Sequence, residues 1–70
     1  MEKRDWLIKK RREKNFTQAE LAKLVNVSNK TISKIELGER NPSGELALRI
    51  ARVLNFDMKL FYDSQVIVIA

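Results

Sequence analysis

All of the glycine and proline in this chain lies in one short segment, between Gly38 and Gly44, with Pro42 inside it. Because these residue types interrupt helices and strands more than any others, the sequence on either side can form uninterrupted elements. On both sides, apolar residues recur three and four positions apart, which is the spacing of amphipathic helices. We therefore expect an all-α fold, a compact bundle of four to five short helices with one pronounced turn.

Hydroxyl residues mark where three of the predicted helices begin. Thr17 is followed three positions later by Glu20, the spacing of a capping box, in which each side chain accepts a hydrogen bond from the backbone of the other residue. Ser28 and Ser43 stand in the same place before the next two apolar repeats, so we predict that they are N-caps. The first helix is expected before the capping box, over about residues 5–14.

The positions of the apolar residues predict which face of each helix is buried. They are separated by three or four residues, so they line one side of each helix. Polar and basic residues occupy the other sides and are expected in solvent. The predicted core consists of Leu7, Leu21, Leu24, Val25, Ile32, Ile35, Leu46, Ala47, Ile50, Ala51 and Leu54.

The C-terminal residues leave two alternatives open. Residues 57–62 fit either one capped helical turn or a short strand. Residues 66–69 are a β-branched run that favours a short β-strand. We therefore expect a folded domain at residues 1–63 and an apolar tail at residues 64–70. The tail either pairs with the same segment of a second chain, which would make a homodimer, or folds back onto its own helices.

The composition favours a polyanionic partner and excludes several functions. Lys and Arg number 14 against 9 Asp and Glu, a net charge of +5, which suits nucleic acid or an anionic surface. There is no cysteine and no histidine, so we expect no disulfide, no structural zinc and no Ser-His or Cys-His catalysis. We accordingly expect no enzyme activity, metal or cofactor. Lacking a bilayer-length apolar run or a signal peptide, the chain is expected in the cytoplasm.

Residues 18–37 have the pattern of two helices joined by a tight turn, a motif that can present its second helix to the DNA major groove. Such a pair needs a small residue where the helices cross, and Ala22 stands there. It also needs a turn residue that tolerates positive φ, for which Asn26 is the best choice after glycine. The outward side of the second helix carries hydrogen-bonding side chains: Asn29, Lys30, Thr31, Ser33 and Lys34.

The segments TQAELA, TISKIE, GER and PS, in this order between Thr17 and Ser43, closely resemble the phage-repressor-like (Cro/repressor-type, XRE) helix-turn-helix family. The resemblance extends over about residues 7–61. It implies a five-helix DNA-binding domain that regulates transcription, usually as a homodimer on a near-palindromic operator, and we expect a repressor. Two positions depart from the family pattern, since Asn26 replaces the usual glycine and Lys10 replaces an apolar residue.

The resemblance also implies which residues meet double-stranded DNA. Gln18 is expected to contact a backbone phosphate, and the loop carrying Arg40 and Asn41 to approach the backbone as well. Helix 3 is expected to face bases and phosphates, because lysine can donate to guanine O6 and N7 and asparagine can pair with adenine N6 and N7. Arg11 and Glu36 are expected to form an ion pair between helices 1 and 3. The full predicted DNA-binding set is Gln18, Ser28, Asn29, Lys30, Thr31, Ser33, Lys34, Arg40 and Asn41.

Two other functions are alternatives. An antitoxin-type protein would bind DNA with the same residues and hold a toxin partner with its C-terminal tail, so residues 18–40 do not separate it from a transcriptional regulator. A basic membrane-surface domain is disfavoured, because the basic residues do not lie opposite a continuous apolar face with aromatic side chains. We therefore expect no membrane partner.

Overall fold

The computed structural model describes residues 3–62, which form helices and their connecting turns. The predicted all-α fold is confirmed. No helix within these residues is long and apolar enough to cross a membrane. The elements in chain order are α1 (Asp5–Glu13), α2 (Gln18–Leu24), α3 (Asn29–Glu36), α4 (Gly44–Leu54) and a 3₁₀ helix (Met58–Phe61).

The structure decides between the helical turn and the strand that the sequence allows at residues 57–62. The 3₁₀ helix shows that the helical interpretation of residues 57–62 is correct and the strand interpretation is wrong. Asp57 caps this helix, since its Oδ1 accepts a hydrogen bond from the Lys59 backbone N–H at 2.9 Å. The predicted tail, residues 64–70, lies outside the described residues.

The three predicted N-caps are confirmed. Thr17 Oγ1 accepts a hydrogen bond from the Glu20 N–H at 3.0 Å, and Glu20 Oε1 accepts one from the Thr17 N–H at 2.8 Å, which completes the capping box. Ser28 and Ser43 accept hydrogen bonds from the backbone three residues later, in α3 and α4. Each cap satisfies one N–H group that has no partner inside its helix, and so fixes where the helix begins.

Asparagine and glycine in the left-handed conformation follow the helices. Asn15 (φ 62°) comes after α1, and Gly38 (φ 78°) follows α3. Asn26 (φ 61°) lies between α2 and α3, as the sequence predicts. Asn55 (φ 59°) has the same place after α4, although no sequence pattern singles it out. Glycine and asparagine tolerate this conformation better than other residues, so the chain can reverse sharply at these points.

The core forms where the predicted apolar faces meet, with one exception. Every predicted core residue is buried except Leu24, which is 56% exposed. The short helix α2 and its C-cap, Val25, bury an arc through Leu21, Ala22 and Val25. With about 100° of rotation per residue, Leu24 lies about 60° from Leu21 on the side away from Ala22. The prediction for Leu24 is therefore wrong. A residue three positions away on a helix is rotated by about 60°, so it can lie outside the buried arc even when its neighbour is inside.

Aromatic side chains join the start of α1 to the C-terminal end of the described chain. The Trp6 ring lies 5.4 Å from the Phe56 ring and 5.2 Å from the Phe61 ring, between centroids, in edge-to-face orientations. Lys10 is half-buried beside them, with Nζ 5.7 Å from the Phe56 ring centroid. The aliphatic stem of Lys10 thus covers apolar surface where the family often has an apolar residue.

Candidate nucleic-acid interface

A tight turn between α2 and α3 sets the direction of α3. The backbone N–H of Val27 donates to the Ala22 carbonyl at 3.0 Å, and that of Asn26 donates to the Lys23 carbonyl at 3.3 Å. Ala22 is buried, which is consistent with a small residue where the two helices cross. Among the described elements, α2 and α3 make the most extensive contact. The position of α3 therefore follows from the turn and from its packing on α2.

The two sides of α3 differ sharply in polarity. Ile32 and Ile35 are buried, whereas Asn29, Lys30 and Lys34 are exposed. The two lysines are one helical turn apart and share a face. Within residues 3–62, neither lysine forms an ion pair. Like charges at this spacing destabilise a helix by roughly 0.2–0.5 kcal/mol, so the arrangement is typical of a surface that faces an anion.

Hydroxyl groups at the start of α3 bind one another. Ser28 Oγ accepts a hydrogen bond from the Thr31 N–H at 3.1 Å and lies 2.9 Å from Thr31 Oγ1. Thr31 and Ser33 are half-buried, whereas Ser28 is exposed. The Ser28 and Thr31 hydroxyls thus hold the first turn of α3 in shape, while the longer side chains of Lys30 and Lys34 are exposed to solvent.

A buried carboxylate joins three helices behind this surface. Glu36, at the end of α3, is 1% exposed. Arg11 of α1 donates to it twice, from Nε to Oε2 at 2.6 Å and from Nη2 to Oε1 at 3.3 Å. Gln18 of α2 donates from Nε2 to Glu36 Oε1 at 2.8 Å. Because a buried charge without partners is costly, this network fixes how α1, α2 and α3 meet.

Gln18 has a structural contact that the sequence did not reveal. Its predicted role is a phosphate contact, yet one of its amide hydrogens is donated to Glu36. The side chain is half-buried at the first position of α2. An amide nitrogen carries two hydrogens, so one donor remains for another acceptor.

The loop after α3 is held by a residue that no sequence pattern marks. Arg40 and Asn41 are exposed. Arg4, which precedes α1, donates from Nη1 to the Arg40 carbonyl at 3.2 Å and from Nη2 to Asn41 Oδ1 at 2.6 Å. Removal of water from the Arg4 guanidinium by burial lowers the pKa of this residue below its usual value. These contacts span more than thirty positions, beyond the reach of any local periodicity.

Comparison with known proteins assigns this arrangement to a family. Residues 7–61 match the sequence model of the family described as Helix-turn-helix, which covers more than half of the chain. The chain belongs to the helix-turn-helix family. It is thereby a member of a family of DNA-binding transcriptional regulators.

The helix-turn-helix relatives come from bacteria, archaea and a phage. The uncharacterized HTH-type transcriptional regulator YqaF of Bacillus subtilis is 40% identical over 61 residues, which cover 87% of this chain and 80% of that protein. The uncharacterized HTH-type transcriptional regulator MJ0272 of Methanocaldococcus jannaschii is 50% identical over 54 residues (73% and 82%). The ImmF control region 10 kDa protein of Bacillus phage phi105 is 38% identical over 60 residues (86% and 67%).

Within the helix-turn-helix domain, the predicted residues that lie outside the start and body of α3 form two groups, and each is connected to the end of that helix. Gln18 is tied to the C-terminal end of α3 through Glu36. The loop of Arg40 and Asn41 is tied to the same end of α3 through Arg4, whose Nη1 also donates to the Ile35 carbonyl at 2.7 Å. The end of α3 therefore sets the place of both groups relative to the exposed side of that helix.

Proposed function

We propose that this protein is a sequence-specific transcriptional repressor that reads the DNA major groove with α3. The observation that supports this most is the exposure of Asn29, Lys30 and Lys34 on a helix that buries Ile32 and Ile35. An α-helix about 10–12 Å across fits the major groove, which is ~12 Å wide. Side chains on the outward face then reach the edges of the bases.

The side chains of α3 have the chemistry for base readout. Asn29 can accept from adenine N6 and donate to adenine N7 at the same time, while Lys30 or Lys34 can donate to guanine O6 and N7. The smaller hydroxyls of Ser28, Thr31 and Ser33 are assigned to phosphate contact, and those of Ser28 and Thr31 also hold the first turn of the helix. Base contacts specify the sequence, and the hydroxyl contacts position the helix.

Residues outside α3 are assigned to the DNA backbone. Gln18 has one amide hydrogen left for a phosphate oxygen after its hydrogen bond to Glu36. Arg40 and Asn41 are exposed in the loop that follows α3, and we assign them to phosphates of the same groove. Such contacts carry no sequence information directly, but they fix the register of the protein on the duplex.

We further propose that the protein binds as a homodimer through its C-terminal tail. The proposal divides the chain into a DNA-binding domain at residues 1–63 and a pairing segment at residues 64–70. Its support is the apolar, β-branched run at residues 66–69, which would be an aggregation hazard as an unpaired strand. A two-fold partner would present two copies of α3 to half-sites about one DNA turn apart, ~34 Å.

The names of the relatives favour a regulator over an antitoxin. YqaF and MJ0272 are named as transcriptional regulators, and the phage relative is named for a control region. A control-region protein of comparable size fits repression, in which a small DNA-binding protein occupies its operator. No observation on residues 3–62 points to a toxin.

Selection of bound duplexes from a random DNA pool tests the proposed function. The expected result is one enriched, near-palindromic motif whose half-sites lie about one helical turn, ~34 Å, apart. Equal recovery of all sequences across a range of salt concentrations would contradict sequence-specific reading. Enrichment of a single, non-repeated half-site would agree with base readout by α3 but would contradict binding as a homodimer.

A further inference from the structure

Arg4 precedes α1 and its carbonyl accepts from the first turn of that helix, yet the hydrogen bonds that it donates within residues 3–62 all go to the end of α3 and to the loop beyond. Its backbone N–H donates to the Glu36 carbonyl at 2.7 Å, and its Nη1 donates to the Ile35 carbonyl at 2.7 Å. The last carbonyls of an α-helix receive no hydrogen bond from an N–H of the same helix, so they need donors from elsewhere. Arg4 therefore caps the C-terminal end of α3, although it lies more than thirty positions earlier in the sequence.

The same guanidinium also reaches the loop that follows α3. Nη1 donates to the Arg40 carbonyl at 3.2 Å, and Nη2 donates to Asn41 Oδ1 at 2.6 Å. The guanidinium carbon lies 5.7 Å from the centroid of the Phe61 ring, which limits its movement on one side. The planar guanidinium of Arg4, with its several donors, thus binds both the end of α3 and the loop that follows it.

The contact with Asn41 determines which end of its amide faces solvent. A guanidinium can only donate hydrogen bonds, so the Asn41 oxygen must face Arg4 and the amide nitrogen must face away. Asn41 is exposed, and within residues 3–62 no acceptor is found for its Nδ2. The exposed loop consequently offers two N–H donors with a fixed orientation.

We propose that Arg4 is a positioning residue for DNA contact, which holds the loop at residues 37–43 so that Asn41 Nδ2 donates to a phosphate oxygen. This inference rests on the proposed function, in which the loop meets the DNA backbone. Arg4 itself need not touch DNA. Lysine cannot replace it, because one ammonium group cannot meet the carbonyls of Ile35 and Arg40 and the Asn41 oxygen in the same plane.

The test is a double-mutant cycle of Arg4→Lys and Asn41→Ala in DNA binding. The probe is a mixed-sequence 30-base-pair duplex at low salt, since a phosphate contact is common to all sequences. Each single variant is expected to bind about five- to tenfold more weakly, the size of one lost hydrogen bond. The double variant is expected to bind no more weakly than Asn41→Ala alone. Because Arg4→Lys preserves the charge, the salt dependence should not change.

Stability must be separated from positioning, because Arg4→Lys also removes a helix cap. All affinities are therefore measured at a temperature where circular dichroism shows each variant to be folded. Asn41→Asp supplies a second variant that keeps the acceptor for Arg4 but lacks the outward donors. It is expected to melt no lower than wild type and to lose more DNA affinity than Arg52→Gln, which makes the same charge change on the exposed side of α4.

The outcomes distinguish this inference from the function on which it rests. If wild-type protein does not bind the duplex, the proposed function is overturned and the role of Arg4 with it. If wild type binds and Arg4→Lys binds equally well, only the inference is overturned. If the losses of DNA affinity of the two single variants multiply in the double variant, Arg4 and the Asn41 amide are not linked. A lower melting temperature for Asn41→Asp than for wild type would contradict the link as well.

Discussion

Glu36 shows how one side chain can connect the core to the surface that we propose to face DNA. Its carboxylate is buried and receives donors from Arg11 and Gln18. The Arg11 contact stabilises the packing of α1 on α3. The Gln18 contact orients an amide that we assign to phosphate. A change at Glu36 is therefore expected to affect stability and DNA binding together.

The Arg11–Glu36 pair should be strongly coupled in stability. Both residues are buried, at 7% and 1% exposure, so Arg11→Met leaves an uncompensated carboxylate and is expected to cost about 3–5 kcal/mol. Urea unfolding of Arg11→Met, Glu36→Gln and the double variant measures the coupling. Glu39→Gln, at an exposed carboxylate, is the control and should stay within about 0.5 kcal/mol. A coupling energy of zero would contradict the proposed role of the pair.

Single residues differ in how far the sequence reveals their roles. The resemblance to a known family was needed to pair Arg11 with Glu36, because no local spacing links them. The contacts of Gln18 with Glu36 and of Arg4 with Asn41 had no signal at all. Side chains that meet across distant parts of the chain depend on the final packing, which periodicity does not describe.

The elements themselves were largely predictable, because α2, α3 and α4 each begin at a hydroxyl cap and end near asparagine or glycine. The one wrong core residue and the one undecided segment both belong to the shortest elements. The apolar residues of α2 fit more than one buried arc, and Leu24 fell outside the true one. Residues 57–62 satisfy both a helical and a strand spacing, and the cap at Asp57 stabilises the helical one. A short segment contains too few apolar residues for their spacing to distinguish a helix from a strand, or one buried face from another.

The turn between α2 and α3 should tolerate glycine at position 26 better than alanine. Asn26 has φ of 61°, a conformation that costs most L-residues about 1–2 kcal/mol. Asn26→Ala is therefore expected to lower the free energy of unfolding by ~1 kcal/mol or more, and Asn26→Gly to change it less. Chemical unfolding measures both, with the exposed Asn29→Ala as control. Equal stabilities for Asn26→Ala and wild type would contradict a strained turn.

For the whole molecule, we expect assembly to depend on residues 64–70. If the tail pairs two chains, a protein ending at Asp63 should sediment as a monomer at micromolar concentration, while the full-length protein sediments as a dimer. Because burial of apolar strand residues would drive the pairing, Val68→Lys in the full chain should act as truncation does. Monomers for both lengths, with and without DNA, would contradict the dimer and favour a tail that folds onto its own domain.

The most direct test of the central claim compares two double variants on a DNA sequence obtained by selection. Lys30→Ala with Lys34→Ala removes two charges from α3, and Lys9→Ala with Lys59→Ala removes two from other exposed positions. A lysine that reads a base is worth about 1–3 kcal/mol, so the α3 variant should lose at least about fivefold more affinity than the control, with less discrimination against mixed-sequence DNA. If both variants lose the same affinity and keep the same discrimination, α3 does not read the operator.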